Sequence, residues 1–319
     1  MANPSRGVEY LDQAAKRHAD LIRGEEIDWN RWLTPEDKSH VIPAEALAER
    51  GKASLMLGDE SEPGLTLPWE KTNGKVLIRA GKLVVWAGWS RHGKTQLLKQ
   101  LMLHGIRNGE RPLIASMEEE VLEVWKDLAW IACREKQPPL KAINEFVSFV
   151  EGKLWLYDQQ GQINPKRIQA VIRYAASELK VTQVVVDSLM MLALDRDDYE
   201  AQARFVGELK ALAKDTGVTV HLVAHMRKRD GKGGDEQPGT LHDISGGHEI
   251  GSKADYVFIV WRDINRKDAN GPQAILKVEK QRGRVNWLGT MGLGFHEGAR
   301  QFVEDVHPMR FWDEPGEAF

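Results

Sequence analysis

Gly88-Trp89-Ser90-Arg91-His92-Gly93-Lys94-Thr95 is the stretch that decides the fold, because it spells G-x-x-x-x-G-K-T between a strand pattern and a helix pattern. An apolar, β-rich run, residues 83–87, precedes it. A helix pattern follows, with its apolar residues on one face: Leu97, Leu98, Leu101, Met102 and Ile106. Strand, glycine loop and helix of this kind cradle phosphate with backbone N–H groups and the helix N-terminus. Lys94 then reaches the β- and γ-phosphates, and the Thr95 hydroxyl holds Mg²⁺. We therefore expect residues 88–96, Gln96 included, to bind ATP or another nucleoside triphosphate.

Length and composition are those of an ordinary globular chain. The protein has 319 residues, of which 42% are hydrophobic and 29% charged, enough for one large α/β domain and a smaller appendage. No apolar run approaches the ~20 residues of a membrane span, and residues 1–6 lack the apolar core of a signal peptide. The single cysteine, Cys133, excludes an internal disulfide and a cysteine-rich zinc module. We expect a cytoplasmic protein with no membrane partner.

The net charge narrows the ways in which the chain can bind nucleic acid. A formal charge of −3 argues against a protein that coats nucleic acid with its whole surface. A local basic channel remains compatible with it, because binding depends on where the cations lie.

Three regions follow one another along the chain. Residues 1–75 are a helical N-terminal region with a linker, in which residues 10–22 and 44–57 have the spacing of amphipathic helices. Residues 76–304 alternate strand and helix patterns and form the main domain. Residues 305–319 are acidic and are expected to be a flexible tail.

The pattern within the main domain predicts an α/β fold with a mostly parallel, twisted sheet flanked by helices. Strands are expected at residues 83–87, 112–116, 153–157, 183–187, 218–224 and 255–261. Helices are expected at residues 165–179, with Asn164 as the N-cap, and at residues 198–214. Short strands at residues 274–278, 287–293 and 301–303 predict an antiparallel C-terminal extension of the sheet.

Two acidic side chains follow predicted strands. Asp187 ends the buried run 184–187, and beside the phosphate loop it would complete the Mg²⁺ site begun by Thr95. An aspartate that caps the next turn would look the same. Glu118 follows the strand at 112–116, where a carboxylate could orient the attacking water as a general base. Three consecutive glutamates would equally suit the dipole at the start of a helix.

Histidine and basic residues follow another strand. His225 ends the strand at 218–224 and could hydrogen-bond the γ-phosphate, although a lone histidine is more often a satisfied core residue. The next residues combine cations with glycines and suit contact with a phosphate backbone, or else form a solvated surface loop. The predicted DNA-binding residues are Arg227, Lys228, Arg229 and Lys232.

Lys280 and Arg282 follow a strand of the C-terminal extension. Such cations can act as arginine fingers that stabilise charge on a phosphoryl group held by a neighbouring subunit. Their spacing alone favours an ordinary basic turn.

These motifs, in this order, resemble the RecA-type motor domain of the replicative ring helicases, the superfamily-four group of DnaB, phage primase-helicases and mitochondrial Twinkle. The resemblance covers roughly residues 64–304, and His225 makes the chain more similar to the phage and Twinkle branch. The residues that carry it are 88–95, Ser116-Met117-Glu118, 184–188, Ala224-His225-Met226-Arg227, Asp243-Ile244-Ser245-Gly246-Gly247 with Ala254-Asp255, and Lys280-Gln281-Arg282.

The resemblance implies a role for each matched residue. Glu118 becomes the base, and His225 becomes the γ-phosphate sensor. Lys280 and Arg282 act on the nucleotide of the adjacent subunit, and Arg262 lies against the nucleotide base. Residues 226–246 become the DNA-binding loop of a ring, usually a hexamer, that uses ATP and Mg²⁺ and moves 5′ to 3′ on single-stranded DNA.

Partners and origin are also implied by the resemblance. The expected setting is a phage or prophage replication module in the bacterial host cytoplasm. No primase region precedes the motor, so a separate primase, together with a loader or polymerase, is the expected partner. Many members of the group carry arginine where Ser245 stands, which leaves that DNA or inter-subunit contact open. Residues 44–57 could serve as a linker helix that packs on the next subunit.

Two other functions remain open on the sequence. One is a recombinase-like or RadA-like ATPase that forms filaments on DNA. The other is a helicase loader or regulatory ATPase that recruits partners without unwinding DNA. The acidic, aromatic residues 311–319 could dock on a basic partner, or could be an unstructured, solubilising end.

Overall fold

A ten-stranded sheet organises the computed structural model. The structure describes residues 21–22, 52, 56, 64–159, 161–191, 198–227, 237–245, 248–264, 273–283 and 287–312. Apart from residues 52 and 56, the helix predicted at 44–57 lies outside these residues, and most of the helix predicted at 10–22 does too. In the described part of the chain, no helix is both long and apolar enough to cross a membrane.

The strands of the sheet come from the whole length of the domain. They are β1 (Leu21–Ile22), β4 (Leu83–Gly88), β5 (Pro112–Ser116), β6 (Trp155–Tyr157), β7 (Gln183–Asp187), β8 (Thr219–His225), β9 (Tyr256–Arg262), β10 (Ala274–Gln281), β11 (Gly289–His296) and β12 (Gln301–Val303). Their order in the sheet is β1-β6-β5-β7-β8-β4-β9-β10-β11-β12. Neighbours from β1 to β9 in this order pair in parallel, whereas β9 to β12 pair antiparallel. The predicted strands therefore lie where the sequence places them, and the C-terminal extension is antiparallel.

Helices cover both faces of the sheet. They are α1 (Lys94–Arg107), α2 (Val121–Cys133), α3 (Leu140–Val150), α4 (Pro165–Glu178), α5 (Tyr199–Thr216) and α6 (His248–Lys253). Alternate residues of β4 enter different cores: Val85 packs in the cluster with α4 and α5, and Trp86 in the cluster with α1 and α2. Because both faces are buried, the central strands read as continuous apolar runs.

The predicted helix boundaries rest on recognisable caps. Asn164 accepts a hydrogen bond from the backbone N–H of Lys166 at 2.9 Å, with proline at the first helical position. Asp198 caps α5 through the N–H of Ala201 at 2.8 Å, and α5 ends at Gly217, whose φ is +75°.

The N-terminal part of the domain differs from the prediction. Leu21–Ile22 is a strand, parallel to β6, and so is not the end of a helix. The strands β2 (Gly64–Thr66) and β3 (Leu77–Arg79) form an antiparallel hairpin. Leu65 and Trp69 are buried in the core, and the Trp69 indole donates to the Phe302 carbonyl at 2.9 Å. The core of the main domain thus begins before residue 76.

The C-terminal segment also differs. Phe311 is only 2% exposed and packs in the same core as α1. The backbone N–H of Met309 donates to Gln301 Oε1 at 2.6 Å, and Arg107 donates to the Arg310 carbonyl at 2.8 Å. A flexible tail that starts at residue 305 is therefore wrong as far as residue 312. Residues 313–319 lie outside the described residues.

Candidate nucleotide site

The phosphate loop, residues 88–95, joins β4 to α1 at the carboxyl edge of the parallel strands, where ligands of such sheets bind. Gly93 has φ +91°, and a Cβ built on it would lie 2.6 Å from Phe302 Cζ. A Cβ built on Gly88 would lie 2.3 Å from the Val260 carbonyl oxygen. Both contacts are shorter than real Cβ contacts, so the motif glycines are required by the packing as well as by the turn.

Lys94 lies folded back on the loop that it serves. Its ammonium donates to the carbonyls of Gly88, at 3.0 Å, and Trp89, at 2.9 Å. The side chain is buried, and this burial lowers its pKa to about 8, although the carboxylates of Asp187 and Glu118 act in the opposite direction. A cation held in this way is placed to exchange carbonyl oxygens for phosphate oxygens.

Thr95 and Asp187 meet at the end of β7, as the sequence predicts for a metal site. The Thr95 hydroxyl donates to Asp187 Oδ2 at 2.5 Å. Burial raises the pKa of Asp187 to about 6, the Thr95 hydrogen bond lowers it, and the charge of Glu118 raises it further. A buried carboxylate beside a hydroxyl supplies the hard oxygen ligands that Mg²⁺ prefers, so the residues present fit this ion. Mg²⁺ bound there would neutralise phosphate charge.

Glu118 lies at the adjacent strand end and is tied to two neighbours. Its Oε1 accepts a hydrogen bond from Ser188 Oγ at 2.5 Å and lies 3.5 Å from His225 Nε2. The His225 hydrogen bond is the largest influence, and with Ser188 it lowers the pKa of Glu118 to about 2 despite partial burial. Sequence reasoning missed Ser188, although it directly follows Asp187.

The three consecutive glutamates have different positions. Glu119 forms an ion pair with Lys99 at 2.5 Å, and Glu120 is the exposed N-cap residue of α2. Of the three, Glu118 is the one hydrogen-bonded to Ser188 beside Asp187. The helix-start interpretation thus fits Glu120, whereas Glu118 faces the candidate site.

Arg262 and His92 lie together at the end of β9. The backbone N–H of Arg262 donates to His92 Nδ1 at 3.2 Å, which joins β9 to the phosphate loop. The Arg262 guanidinium lies 4.1 Å from the ring centroid of Phe295 and pairs with Glu297 at 3.2 Å. A planar cation on an aromatic ring is suited to contact a nucleotide base. Phe295 carries no sequence signal, because its place depends on the pairing of β10 with β11.

The remaining predicted phosphate-loop residues differ in exposure. Trp89 is buried, and its indole donates to the Gln237 carbonyl at 3.1 Å. Ser90 and Arg91 are exposed, and Arg91 has φ +68°. The buried Gln96 directs its side-chain amide to the Arg300 carbonyl, away from the loop.

Lys280 and Arg282 lie at the opposite edge of the sheet. Lys280 donates to the carbonyls of Gly251, at 2.9 Å, and Ser252, at 2.5 Å, near the end of α6. Burial, with the charges of Arg282 and Lys210, lowers the pKa of Lys280 to about 8. Arg282 is 54% exposed and lies 3.9 Å from Asp255. The structure does not bring either cation to the chain's own phosphate loop.

Of the predicted DNA-binding residues, the structure describes Arg227 alone. Its guanidinium lies 4.6 Å from the ring centroid of Tyr199, and its backbone N–H donates to the Asp243 carbonyl at 2.8 Å. Ser245 donates its N–H to the His225 carbonyl at 2.8 Å. Lys228, Arg229 and Lys232 lie outside the described residues.

Comparison with known families agrees with this geometry. Residues 70–304, more than half of the 319 residues, match the family described as the DnaB-like helicase C terminal domain. The chain belongs to this family. The prediction of a helicase motor domain of the DnaB group is thereby confirmed.

Relatives of this DnaB-like domain support both the family and the fold. Over 256 residues the chain is 25% identical to a DNA helicase/primase of Enterobacteria phage T3, covering 74% of this chain and 44% of that protein. The chain thus spans under half the length of this curated relative.

Two solved structures share the fold. One is a separately solved ATPase domain, with a TM-score of 0.69, 18% identity, and coverage of 83% of this chain and 99% of that chain. The other is a DnaB-like replicative helicase solved with its interactions with primase, with a TM-score of 0.68, 18% identity, and coverage of 82% and 68%. They confirm the predicted RecA-like α/β fold.

Proposed function

We propose that this chain is the motor of an ATP-dependent DNA helicase that acts in DNA replication. The observation that carries the proposal is the convergence of Lys94, Thr95, Asp187, Glu118 and His225 at one sheet edge of a DnaB-like domain. ATP is the proposed nucleotide, with Mg²⁺ held by Thr95 and Asp187. The T3 relative, a DNA helicase/primase, favours a phage origin.

Glu118 acts on the water that attacks the γ-phosphate. Because the pKa of Glu118 is about 2, its carboxylate is ionised at neutral pH and can accept a hydrogen bond from this water. Phosphoryl transfer has a loose transition state, so orientation of the water contributes more than early removal of its proton. Lys94 offsets the charge that develops on the phosphate oxygens.

His225 connects nucleotide hydrolysis to the DNA-binding segment, residues 226–246. His225 ends β8 beside Glu118, and the next residue, Met226, donates its N–H to the Gly88 carbonyl at 3.3 Å. The returning part of the segment contacts the phosphate loop through Trp89 and Gln237, at 3.1 Å. Both ends of the segment are thus hydrogen-bonded to the loop that binds phosphate. Loss of the γ-phosphate would therefore be transmitted to Arg227 and the basic residues after it.

The catalytic site requires cations from a second copy of the chain. Arg282 is exposed at the edge opposite the phosphate loop, so it serves the nucleotide of a neighbouring subunit and not its own. We propose a homo-oligomeric ring, six subunits in size, that moves 5′ to 3′ on single-stranded DNA. A primase, loader or polymerase supplied by other chains would complete the replication machinery.

Subunit mixing tests the shared site. Arg282→Ala should abolish ATP hydrolysis while ATP-analogue binding stays within about twofold of wild type, because no residue of the chain's own pocket changes. Lys94→Ala should abolish hydrolysis through loss of phosphate binding. A mixture of the two variants forms some interfaces with an intact pocket and an intact finger, and should regain turnover. A mixture as inactive as its components would contradict the shared site.

A forked-duplex assay tests helicase activity itself. ATP-dependent strand separation, with closed rings in particle images on single-stranded DNA, is the expected result. Filaments in those images would instead support the recombinase-like function. Rapid ATP hydrolysis without strand separation would support the loader or regulatory ATPase.

A further inference from the structure

A buried ion network lies behind the candidate site and has no part in the chemistry described above. Lys99, on α1, is 2% exposed, and its ammonium donates to Glu119 Oε2 at 2.5 Å and to Asp127 Oδ2 at 2.8 Å. Asp127 Oδ1 accepts from Arg300 Nη1 at 2.5 Å. The four side chains hold two positive and two negative charges, and they join α1, the turn after β5, α2 and the turn before β12.

The burial of Lys99 makes these pairs directional. Removing an ammonium group from water costs several kcal/mol unless hydrogen-bonded counter-charges surround it. Lys99 receives both counter-charges from outside its own helix. Glu119 in turn is 37% exposed and would be hydrated without Lys99, so the pair constrains Glu119 more than solvation requires.

This constraint acts on the turn that carries Glu118. On one side of Glu118, the N–H of Met117 donates to the Asp187 carbonyl at 2.8 Å. On the other side, Glu119 is held by Lys99 and by a 3.3 Å bond from its N–H to Ser116 Oγ. Lys99 lies one helical turn after Thr95, on the same face of α1. The Glu118 backbone is thus fixed to the helix that carries Lys94 and Thr95.

We propose that Lys99 is a positioning residue for ATP hydrolysis: through Glu119, it holds the Glu118 carboxylate at a fixed place relative to the phosphate loop. The inference rests on the proposed function, since it requires Glu118 to orient the attacking water. Lys99 itself contacts neither nucleotide nor water. Its loss changes the rate of the chemical step and leaves nucleotide binding intact.

Steady-state ATPase kinetics of Lys99→Met test the proposal. Displacement of a reacting group by about 1 Å can cost on the order of 100-fold in rate, so we expect kcat to fall 10- to 100-fold, with KM within about twofold of wild type. Lys99→Arg keeps the charge and should regain most of the rate. Lys126→Met is the matched control, because Lys126 forms an exposed pair with Glu123 at 2.6 Å and its loss should leave kcat unchanged.

Glu119→Gln provides a second, milder perturbation, since Lys99 keeps its bond to Asp127 in this variant. We expect kcat to fall about tenfold, and the double variant Lys99→Met with Glu119→Gln to be no slower than Lys99→Met alone. Should Lys99→Met fail to fold, the kcat of Glu119→Gln decides the question. Wild-type kcat in Glu119→Gln, or a fall in kcat of Lys99→Met that Lys99→Arg does not reverse, would overturn the positioning role.

Glu118→Gln separates this inference from the function on which it rests. Near-wild-type hydrolysis by Glu118→Gln would refute the role of Glu118 itself. An inactive Glu118→Gln combined with fully active Lys99→Met and Glu119→Gln would leave the proposed function in place and refute the positioning by Lys99 alone.

Discussion

Raising the pH from 7.5 to 9.0 should weaken nucleotide binding through Lys94. Before nucleotide binds, burial lowers the pKa of this ammonium to about 8, and the charges of Asp187 and Glu118 offset only part of that effect. A bound triphosphate surrounds the ammonium with negative charge and so raises its pKa. The protonated form therefore binds ATP better, and affinity is lost as the pH rises through 8.

The magnitude follows from the protonated fraction of Lys94. With a pKa of about 8, this fraction is about three quarters at pH 7.5 and about one tenth at pH 9.0. If the bound lysine stays protonated, the Kd rises about eightfold, which corresponds to about 1.2 kcal/mol. An exposed lysine, with its pKa near 10.4, would produce almost no change over this range.

Titration with a fluorescent, non-hydrolysable ATP analogue at constant Mg²⁺ measures this Kd. Lys94→Arg is the control, because a guanidinium stays protonated throughout this range. Its affinity, whatever its absolute value, should be independent of pH. An unchanged wild-type Kd between pH 7.5 and 9.0, or the same slope in the arginine variant, would refute the reasoning.

Three further predictions concern the metal site, the link to the DNA-binding segment and the buried network. Because the pKa of Asp187 is raised to about 6, Mg²⁺ affinity at the nucleotide site should fall about tenfold between pH 7 and pH 5; Mg²⁺ titrations should lose this dependence in Asp187→Asn. Trp89→Phe removes the indole bond to Gln237 and should halve, or more, the stimulation of ATPase by single-stranded DNA while basal turnover is kept. Trp130→Phe, which loses a comparable 2.7 Å indole bond to Gly298, should keep that stimulation. His221 is wholly buried and its pKa is lowered to about 3, so its neutral form stabilises the fold at pH 7.5 and this contribution is lost as the pH falls below 6.5. The difference in unfolding free energy between wild type and His221→Phe, from urea titrations, should therefore shift by about 2.6 kcal/mol between pH 7.5 and 4.5.

The local part of the site could be predicted because its elements are short and contiguous. The apolar run of β4, the glycine loop and the one-sided helix α1 each have a period that the sequence displays. Asp187, Glu118 and His225 lie far apart along the chain, yet they meet because each ends a strand of the same parallel sheet. The fold prediction thus carried the site prediction with it, since the carboxyl ends of parallel strands share one edge.

Contacts that depend on distant packing could not be predicted. The pattern of residues 10–22 is that of a helix, but Leu21–Ile22 pairs with β6 more than a hundred residues away. Acidic composition suggested a mobile tail, although Phe311 fills a gap beside α1. Lys99 shows the same limit: a lysine among apolar helix residues indicates a solvated face, and only its partners on α2 and after β5 make burial favourable.

The separation between the two edges of the sheet is what makes a neighbouring subunit necessary. Leu83 begins β4 and exchanges backbone hydrogen bonds with Asp255, while Gly88 ends the strand at the phosphate loop. Five residue steps of an extended strand span about 17 Å. The Arg282 side chain, anchored beside Asp255, reaches less than half of that distance, which follows from the chain dimensions of an arginine. A finger at this edge can therefore face the nucleotide of another copy, and its exposure is what such a contact between subunits would cover.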